Sequence, residues 1–195
     1  MDAIAALGRT LGFSFAAGLN LYATVAILGL AARYGWVDLP PQYAVFNNPY
    51  LITVALVMYA IEFFADKIPW VDTIWDGIHT IVRPLGGALI AVATLGHASA
   101  GTTTLIGLLG GAVAATSHAS KASTRAVANA SPEPFSNWIL SLGEDAFVVG
   151  LGLVALKYPV IAFGVTIVLL VAIVLFARML IRLLRRRFRR TEPSM

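Results

Sequence analysis

The sequence predicts an all-α integral membrane protein. Hydrophobic residues make up 58% of the 195 residues and charged residues only 12%, whereas soluble domains average about 45–50% and 25%. The mean hydropathy is +0.81, and the apolar stretches have the length of helices that cross a hydrocarbon core of about 30 Å. These observations predict one membrane domain over residues 1–185, followed by a basic cytoplasmic tail over residues 186–195.

Six apolar segments form the predicted transmembrane helices, and prolines, glycines and asparagines separate them. These segments are residues 4–34, 49–66, 84–99, 102–128, 136–156 and 159–184. The first and fourth exceed the length that a perpendicular span needs, so each is long enough to tilt or break. Gly18 is the candidate break point in the first.

A shorter segment, residues 70–82, is predicted to be an amphipathic helix lying in the membrane interface. One helical stripe is apolar and contains Val71, Ile74, Trp75, Ile78 and Ile81. The other stripe is polar and contains Asp72, Asp76, His79 and Arg83. The spacing of Asp72, Asp76 and His79 also suits a divalent metal, but the simpler interpretation is the water-exposed face of this helix.

Basic residues predict the orientation, because cytoplasmic loops of membrane proteins carry an excess of Lys and Arg. With six spans, Lys67, Arg83, Lys121, Arg125 and the C-terminal arginines all fall on one side. Both termini are therefore predicted to be cytoplasmic. The arginines predicted to bind anionic lipid headgroups are Arg182, Arg185, Arg186, Arg187, Arg189 and Arg190.

Small residues suggest an internal repeat with an offset of 99 residues. Gly8, Gly12 and Ala16 in the first span correspond to Gly107, Gly111 and Ala115 in the fourth. With three spans in each half (residues 1–99 and 100–185), the second half would be inverted, as in many secondary transporters. The alternative is that these residues only let the two helices pack closely.

Acidic residues inside the predicted spans are the main functional candidates, because a charge in hydrocarbon is costly and commonly marks an ion or substrate pathway. Glu62 and Glu144 fall well inside the second and fifth spans. Asp66 and Asp145 lie close to them in sequence. These carboxylates would bind a cation or carry protons. In the alternative interpretation, Glu62 pairs with Lys67 or Arg125 and only holds the bundle together.

Polar residues of the first and fourth spans complete the predicted pathway. These are Asn20, Tyr22, His118, Lys121 and Arg125. The chain has no cysteine, and it has no phosphate loop, nucleophile elbow or dinucleotide fingerprint. We therefore expect no cofactor, no enzymatic activity and no nucleic-acid partner. A homo-oligomer is compatible with the sequence.

Three motifs resemble a bacterial family of small membrane proteins known only as a domain of unknown function. They are Gly18-Leu-Asn-Leu-Tyr22, Glu62-Phe-Phe-Ala-Asp66-Lys67-Ile-Pro69-Trp-Val-Asp72 and Ser117-His118-Ala-Ser-Lys121-Ala. The resemblance covers most of the chain, implies a location in a bacterial inner membrane and implies no established activity. The chain also resembles, more loosely and in architecture only, the cation/proton exchangers that carry a duplicated Glu-x-Gly-Asp-Lys motif. Here the spacing is Glu-x-x-x-Asp-Lys, and the second copy, Gly-Glu-Asp, lacks the lysine.

These features predict a small secondary transporter or exporter for an unidentified small solute or ion, coupled to protons or a cation. One alternative is a membrane scaffold or assembly factor with a static ion-pair network, and another is a lipid translocator or lipid-processing protein. Transport predicts that Glu62 and Glu144 face a common polar cavity. A scaffold predicts that each contacts an adjacent basic partner.

Overall fold

The computed structural model describes residues 3–130 and 135–189, and for residues 184 and 186–189 it describes the backbone alone. This part of the chain is helical and contains no strand, which confirms the predicted all-α class. The helices are α1 (Ala3–Leu19), α2 (Leu21–Tyr34), a short 3₁₀ helix (Pro41–Phe46), α3 (Pro49–Ala65), α4 (Pro69–Leu95), α5 (Ala100–Asn129), α6 (Phe135–Lys157) and α7 (Pro159–Arg189).

Four of the described helices are long and apolar enough to cross a membrane. They are α4, α5, α6 and the Pro159–Leu183 part of α7, while α1, α2 and α3 are shorter apolar helices. These lengths support a multi-pass membrane protein. They differ from the six predicted spans in the first segment, in the second, which forms the shorter helix α3, and in the region of residues 70–99.

The predicted first span is two helices, because the backbone is extended at Asn20 (φ −148°, ψ 100°). The Asn20 side-chain oxygen accepts a hydrogen bond from the Ala23 N–H at 2.9 Å and so caps the start of α2. Asparagine is among the best residues at this capping position. The break lies two residues beyond the predicted break point, Gly18. By contrast, the long predicted fourth span is one unbroken helix, α5.

Helix α4 contains both the predicted interfacial helix and the predicted third span, and Pro84 lies within it. Its polar stripe is buried: Asp72 and Arg83 have no exposed surface, whereas Ile74 and Ile78 are more than half exposed. The prediction of an interfacial helix with a wet polar face is therefore wrong. The polar face packs inward and the apolar face points outward, as expected where the surroundings are lipid.

The bundle has two distinct ends. We call "ionic end" the end where α3 meets α4 and α5 meets α6, near residues 62–72 and 125–145. We call "loop end" the opposite end, formed by residues 34–49, 95–100 and 157–159. Helices α3, α5 and α7 run toward the ionic end, and α4 and α6 run toward the loop end.

Helices α1 and α2 form a pair that enters the bundle from the loop end and returns to it. Near the start of α1, Arg9 donates to the Leu156 carbonyl at 3.4 Å and Thr10 contacts the Thr94 hydroxyl at 3.2 Å. The C-terminal carbonyl of α1, at Leu19, accepts a hydrogen bond from a side chain of the ionic end. Along α2 the chain returns, and Gly29 packs against the 3₁₀ helix.

This course places the Ala3 end of the chain and the end of α7 at opposite ends of the bundle. It is at odds with the prediction that both termini lie on one side. That prediction depends on residues 4–34 forming one continuous helix, whereas the chain reverses direction at Asn20. Hydropathy reports the length of an apolar segment but not its direction.

The packing of α1 also changes the interpretation of the repeat. Helices α1 and α5 run parallel: Ser117 donates to the Phe15 carbonyl at 2.9 Å, and Gly18 lies against Ser117 and Ala114. An inverted repeat would require these helices to be antiparallel. The small residues do permit close packing, but Gly8 faces Pro159 of α7 rather than α5.

Candidate functional site

Lys121 is the centre of a buried ionic cluster at the ionic end. Its ammonium group lies 2.9 Å from Asp66 Oδ2, 3.5 Å from Glu62 Oε1 and 3.6 Å from Glu144 Oε2. It also donates to the Leu19 carbonyl at the end of α1, at 3.3 Å. One cation from α5 therefore joins α1, α3 and α6.

Arg125, one helical turn further along α5, forms the second junction. Its Nη2 lies 2.7 Å from Glu144 Oε2 and 3.1 Å from Asp66 Oδ2. Its Nη1 donates to the Asp66 carbonyl at 3.0 Å and to Asn137 Oδ1 at 2.7 Å. Asn137 in turn donates to the Asp66 carbonyl at 3.0 Å. These bonds fix the C-terminus of α3 against α5 and α6.

Arg83 of α4 forms the third junction and reaches Glu62 directly. The Arg83 Nη2 to Glu62 Oε1 distance is 2.6 Å, and both side chains have no exposed surface. Arg83 Nη1 lies 3.1 Å from Asp76 Oδ1 and 2.7 Å from His118 Nδ1. Because a guanidinium group only donates, His118 Nδ1 must accept, and its Nε2 carries the proton directed at the Thr80 hydroxyl, 3.2 Å away.

Tyr22 and His79 meet at the edge of the cluster. The Tyr22 hydroxyl lies 3.1 Å from His79 Nε2, and His79 Nδ1 lies 2.7 Å from the Trp75 carbonyl. Because a carbonyl only accepts, the proton belongs on His79 Nδ1 and Tyr22 donates to Nε2. Both nitrogens of His79 are thus engaged. No three His, Cys, Asp or Glu side chains in the described ranges converge as a metal-binding group, so Asp72, Asp76 and His79, whose spacing suits a metal, are not such a group.

The break between α1 and α2 is connected to the cluster through Asp145. Asn20 Nδ2 donates to Asp145 Oδ1 at 3.2 Å while the Asn20 oxygen caps α2. Asp145 has no Lys or Arg partner within 4 Å in the described part of the chain. The helix break therefore places an amide, and not a cation, next to this carboxylate.

Lys67 and Asp72 lie where α3 turns into α4. The Lys67 ammonium group lies 3.1 Å above the Phe63 ring and donates to the Phe63 carbonyl at 2.8 Å. Partial burial lowers the pKa of Lys67 below its ordinary value, while Asp145 and Asp66 act in the opposite direction. Asp72 accepts a hydrogen bond from Asn129 Nδ2 at 2.7 Å.

Apart from the arginines of α7, carboxylates outnumber cations at the ionic end. Six acids gather there, namely Glu62, Asp66, Asp72, Asp76, Glu144 and Asp145, with four bases, namely Lys67, Arg83, Lys121 and Arg125. Full ionisation would leave a net charge of −2 (four minus six). Five of the six acids also keep one buried oxygen that has no hydrogen-bond partner among the described residues. These atoms are Glu62 Oε2, Asp66 Oδ1, Asp72 Oδ1, Asp76 Oδ2 and Asp145 Oδ2.

The structure brings together all nine residues of the predicted pathway at this end of the bundle. Glu62 and Glu144 contact the same lysine, but each also has a direct arginine partner, Arg83 and Arg125 respectively. The arrangement thus combines the common site expected for a transporter with the ion pairs expected for a scaffold. The Glu62–Lys67 pair is not formed; Lys67 bonds to Phe63 and Ser141 instead.

Several residues of the cluster do not stand out in the sequence. The helical stripe places Arg83 and Asp76 on the wet face of an interfacial helix, and neither Asn137 nor Ser141 is a predicted site residue. The i, i+7 spacing of Asp76 and Arg83 could have indicated an ion pair on one helix face. Asn137 gives no such signal, because a single asparagine near a helix start is common.

The predicted lipid-binding arginines lie along the last turns of α7. Arg182 and Arg185 are exposed. Of Arg186, Arg187 and Arg189 the structure describes only the backbone, which continues α7, and Arg190 lies outside the described residues.

Comparison with known protein families identifies one match. The model for a domain of unknown function, DUF4126, matches residues 7–179. The chain belongs to this family. The matched range includes α1 to α6, most of α7 and the whole ionic cluster, in agreement with the resemblance seen in the sequence motifs. No curated protein and no solved structure matches the chain.

Proposed function

We propose that this DUF4126 protein is a small secondary transporter coupled to protons or a cation, with the ionic end as its binding centre. The observation that carries the proposal is the excess of carboxylates there. Six acids and four bases lie among apolar helices, and five of the acids keep an unpartnered buried oxygen. A proton or a bound cation would supply the missing positive charge.

Energetics favour a functional origin for this cluster. A buried ion pair is seldom more stabilising than apolar side chains of the same volume, and charges within a membrane are costly. A bundle that needed only to hold together would gain little from ten ionisable residues. The surplus acids are the costly part, since pairing with bases does not account for them.

The broken helix at Asn20 provides a second argument. Transporters commonly bind ions where a helix is discontinuous, because the broken ends expose carbonyl groups and helix dipoles. Here the Leu19 carbonyl at the end of α1 contacts Lys121, and Asn20 contacts Asp145. A change of protonation or ligand at Asp145 would therefore act directly on the joint between α1 and α2.

We further propose a topology of five crossing helices, α3 to α7, with α1 and α2 as a pair that enters from the opposite side. Three of the 14 basic residues belong to the loop end: Arg9, Arg33 and Lys157. Ten others belong to the ionic end and to the arginine-rich end of α7, and Arg190 lies outside the described residues. Because Lys and Arg are in excess on the cytoplasmic side of membrane proteins, the ionic end and the α7 arginines then face the cytoplasm. There the arginines would bind the anionic headgroups of the inner leaflet.

A static scaffold is the second candidate, and a specific observation favours it. Glu62, Asp66, Asp76 and Glu144 each have a basic partner within 3.1 Å. A network of this kind holds four helices in one arrangement without any ion movement. In that case neutralising one acid would change stability without changing any flux.

The test is proton movement in proteoliposomes that contain a trapped pH-sensitive dye. Gradients of Na⁺, K⁺, Mg²⁺ or Mn²⁺ salts are imposed in turn, for the wild type, Glu62→Gln and Asp38→Asn. Asp38 is an exposed acid in the loop after α2, so it is a matched carboxylate-to-amide control. We expect proton flux with at least one cation, its loss in Glu62→Gln and its retention in Asp38→Asn.

Two results would count against transport. Absence of proton flux with every cation in the wild type would remove the coupled-transport proposal and favour the scaffold. Equal flux in the wild type and Glu62→Gln would separate Glu62 from the mechanism. A folding check by circular dichroism must accompany each variant, since Glu62 also holds Arg83.

A further inference from the structure

A cavity of about 190 Å³ opens between α4 and α5 at the ionic end. The cavity is separate from the contacts that Lys121 makes. Arg125 belongs to the ionic cluster and also lines the cavity. Its walls are formed by Asp72, Thr73, Asp76, Gly77, Thr80, Ala122, Arg125, Ala126 and Asn129. Five of these nine residues carry side-chain oxygen atoms, and no aromatic residue takes part in the lining.

Three of the lining residues have oxygen atoms that make no hydrogen bond within the described part of the chain. They are Asp72 Oδ1, Asp76 Oδ2 and Asn129 Oδ1, and all three atoms are buried. Asp72 has no exposed surface and Asp76 only 6%. Buried polar atoms almost always have a partner. Unpartnered oxygen atoms on three lining residues of one cavity therefore point to a bound cation that these oxygens would coordinate.

We propose that this cavity binds a hard divalent cation, Mg²⁺ or Mn²⁺, through Asp72, Asp76 and Asn129. Carboxylate and amide oxygens are the ligands that such ions prefer, and water completes their shells. His79 is not part of this site, because its nitrogens are held by Tyr22 and Trp75.

The charges around the cavity are compatible with a cation. Arg125 is the basic residue among its lining residues, and its guanidinium group is already bound to Asp66 and Glu144. Asp76 is shared with Arg83, whereas Asp72 has no Lys or Arg within 4 Å among the described residues. Asp72 is therefore the ligand whose charge is most available to an added ion.

The inference deepens the proposed function. It rests on that function only for the steps after binding, in which the ion enters the Lys121 cluster or is exchanged for protons. Binding itself can be tested alone. Full-length protein in detergent micelles is titrated with Mn²⁺ and followed by electron paramagnetic resonance of the free ion. We expect one bound Mn²⁺ that excess Mg²⁺ displaces.

The variants are Asp72→Asn, with Asp38→Asn as the matched exposed control, and Asn129→Asp. Loss of a metal-holding carboxylate should weaken Mn²⁺ binding by about 10–100-fold, and Asp38→Asn should leave it unchanged. Asn129→Asp adds a third carboxylate to the cavity. It should bind Mn²⁺ at least as tightly as the wild type, and its thermal stability should rise when Mn²⁺ is added.

Asn129→Asp also serves if Asp72→Asn does not fold, because it retains every acid of the cavity. The proposal is overturned if the wild type does not bind Mn²⁺, or if binding persists unchanged in Asp72→Asn. It is likewise overturned if Mn²⁺ fails to stabilise Asn129→Asp. Mn²⁺ binding without proton flux would uphold this site and refute transport, and proton flux without Mn²⁺ binding would do the reverse.

Discussion

Replacing Arg83 with methionine should strongly destabilise the bundle. Arg83 has no exposed surface, and it contacts Glu62 at 2.6 Å, Asp76 at 3.1 Å and His118 at 2.7 Å. Methionine keeps much of the side-chain volume but none of these bonds. After the change, Glu62 still has Lys121 at 3.5 Å, whereas Asp76 has no remaining basic partner in the described residues.

The expected magnitude depends on these partners. Removing one member of a buried ion pair costs about 3–5 kcal/mol, because the other charge stays buried. Glu62→Gln should cost less, about 1–3 kcal/mol, since Arg83 still has Asp76 and His118 as partners. If the pair acts as a unit, the double variant should be about 1–3 kcal/mol less destabilised than the sum of the single variants.

The assay is equilibrium unfolding in mixed micelles, with sodium dodecyl sulfate as the denaturant and helical circular dichroism as the signal. Arg33→Met is the matched control, because Arg33 is exposed in the last turn of α2, and it should change the unfolding free energy by less than about 0.5 kcal/mol. An Arg83→Met cost below about 1 kcal/mol, or additive single-variant costs, would refute the claim that these charges are buried and coupled.

Three further changes test the fold. Asn20→Ala should cost about 1–2 kcal/mol of unfolding free energy, because it removes the cap of α2 and the amide next to Asp145. Gly18→Ala should cost about 1–3 kcal/mol, since the added methyl group would overlap α5; the matched control, Gly150→Ala, has open space and should be neutral or stabilising in the same unfolding assay. In this cysteine-free chain, Ala3→Cys and Arg185→Cys should react with an impermeant maleimide from opposite sides of the membrane, and reaction from one side would contradict the five-crossing topology.

The sequence predicts the members of the site better than the fold. Charges within apolar segments are few and conspicuous, so Glu62, Glu144 and Lys121 can be recognised from hydropathy alone. Which charges pair cannot be recognised, because pairing depends on how the helices are arranged around one another. Arg83 does not stand out for this reason: its partner Glu62 lies on another helix, 21 residues away.

The interpretation of α4 fails for a reason that applies to other membrane proteins. A helical stripe shows which residues share a face, and it does not show which face points inward. In water the polar face is exposed, whereas in lipid it is buried. Asp72 and Arg83 therefore fit an interfacial helix in the sequence, although they belong to the interior. The uninterrupted continuation through Pro84 into an apolar helix is the feature that distinguishes the two cases.

Asn20 has the largest effect on topology of any single residue. One extended residue turns the predicted first span into a pair that returns to the loop end, and the proposed topology of five crossings depends on this reversal. It also makes α1 parallel to α5, so the offset of 99 residues aligns neighbouring helices and not inverted halves. The same asparagine binds Asp145, a carboxylate without a basic partner in the described residues. Asn20, at which the chain reverses, is thus hydrogen-bonded to one of the surplus carboxylates, Asp145. Movement of the α1–α2 pair would therefore change the surroundings of the Asp145 carboxylate.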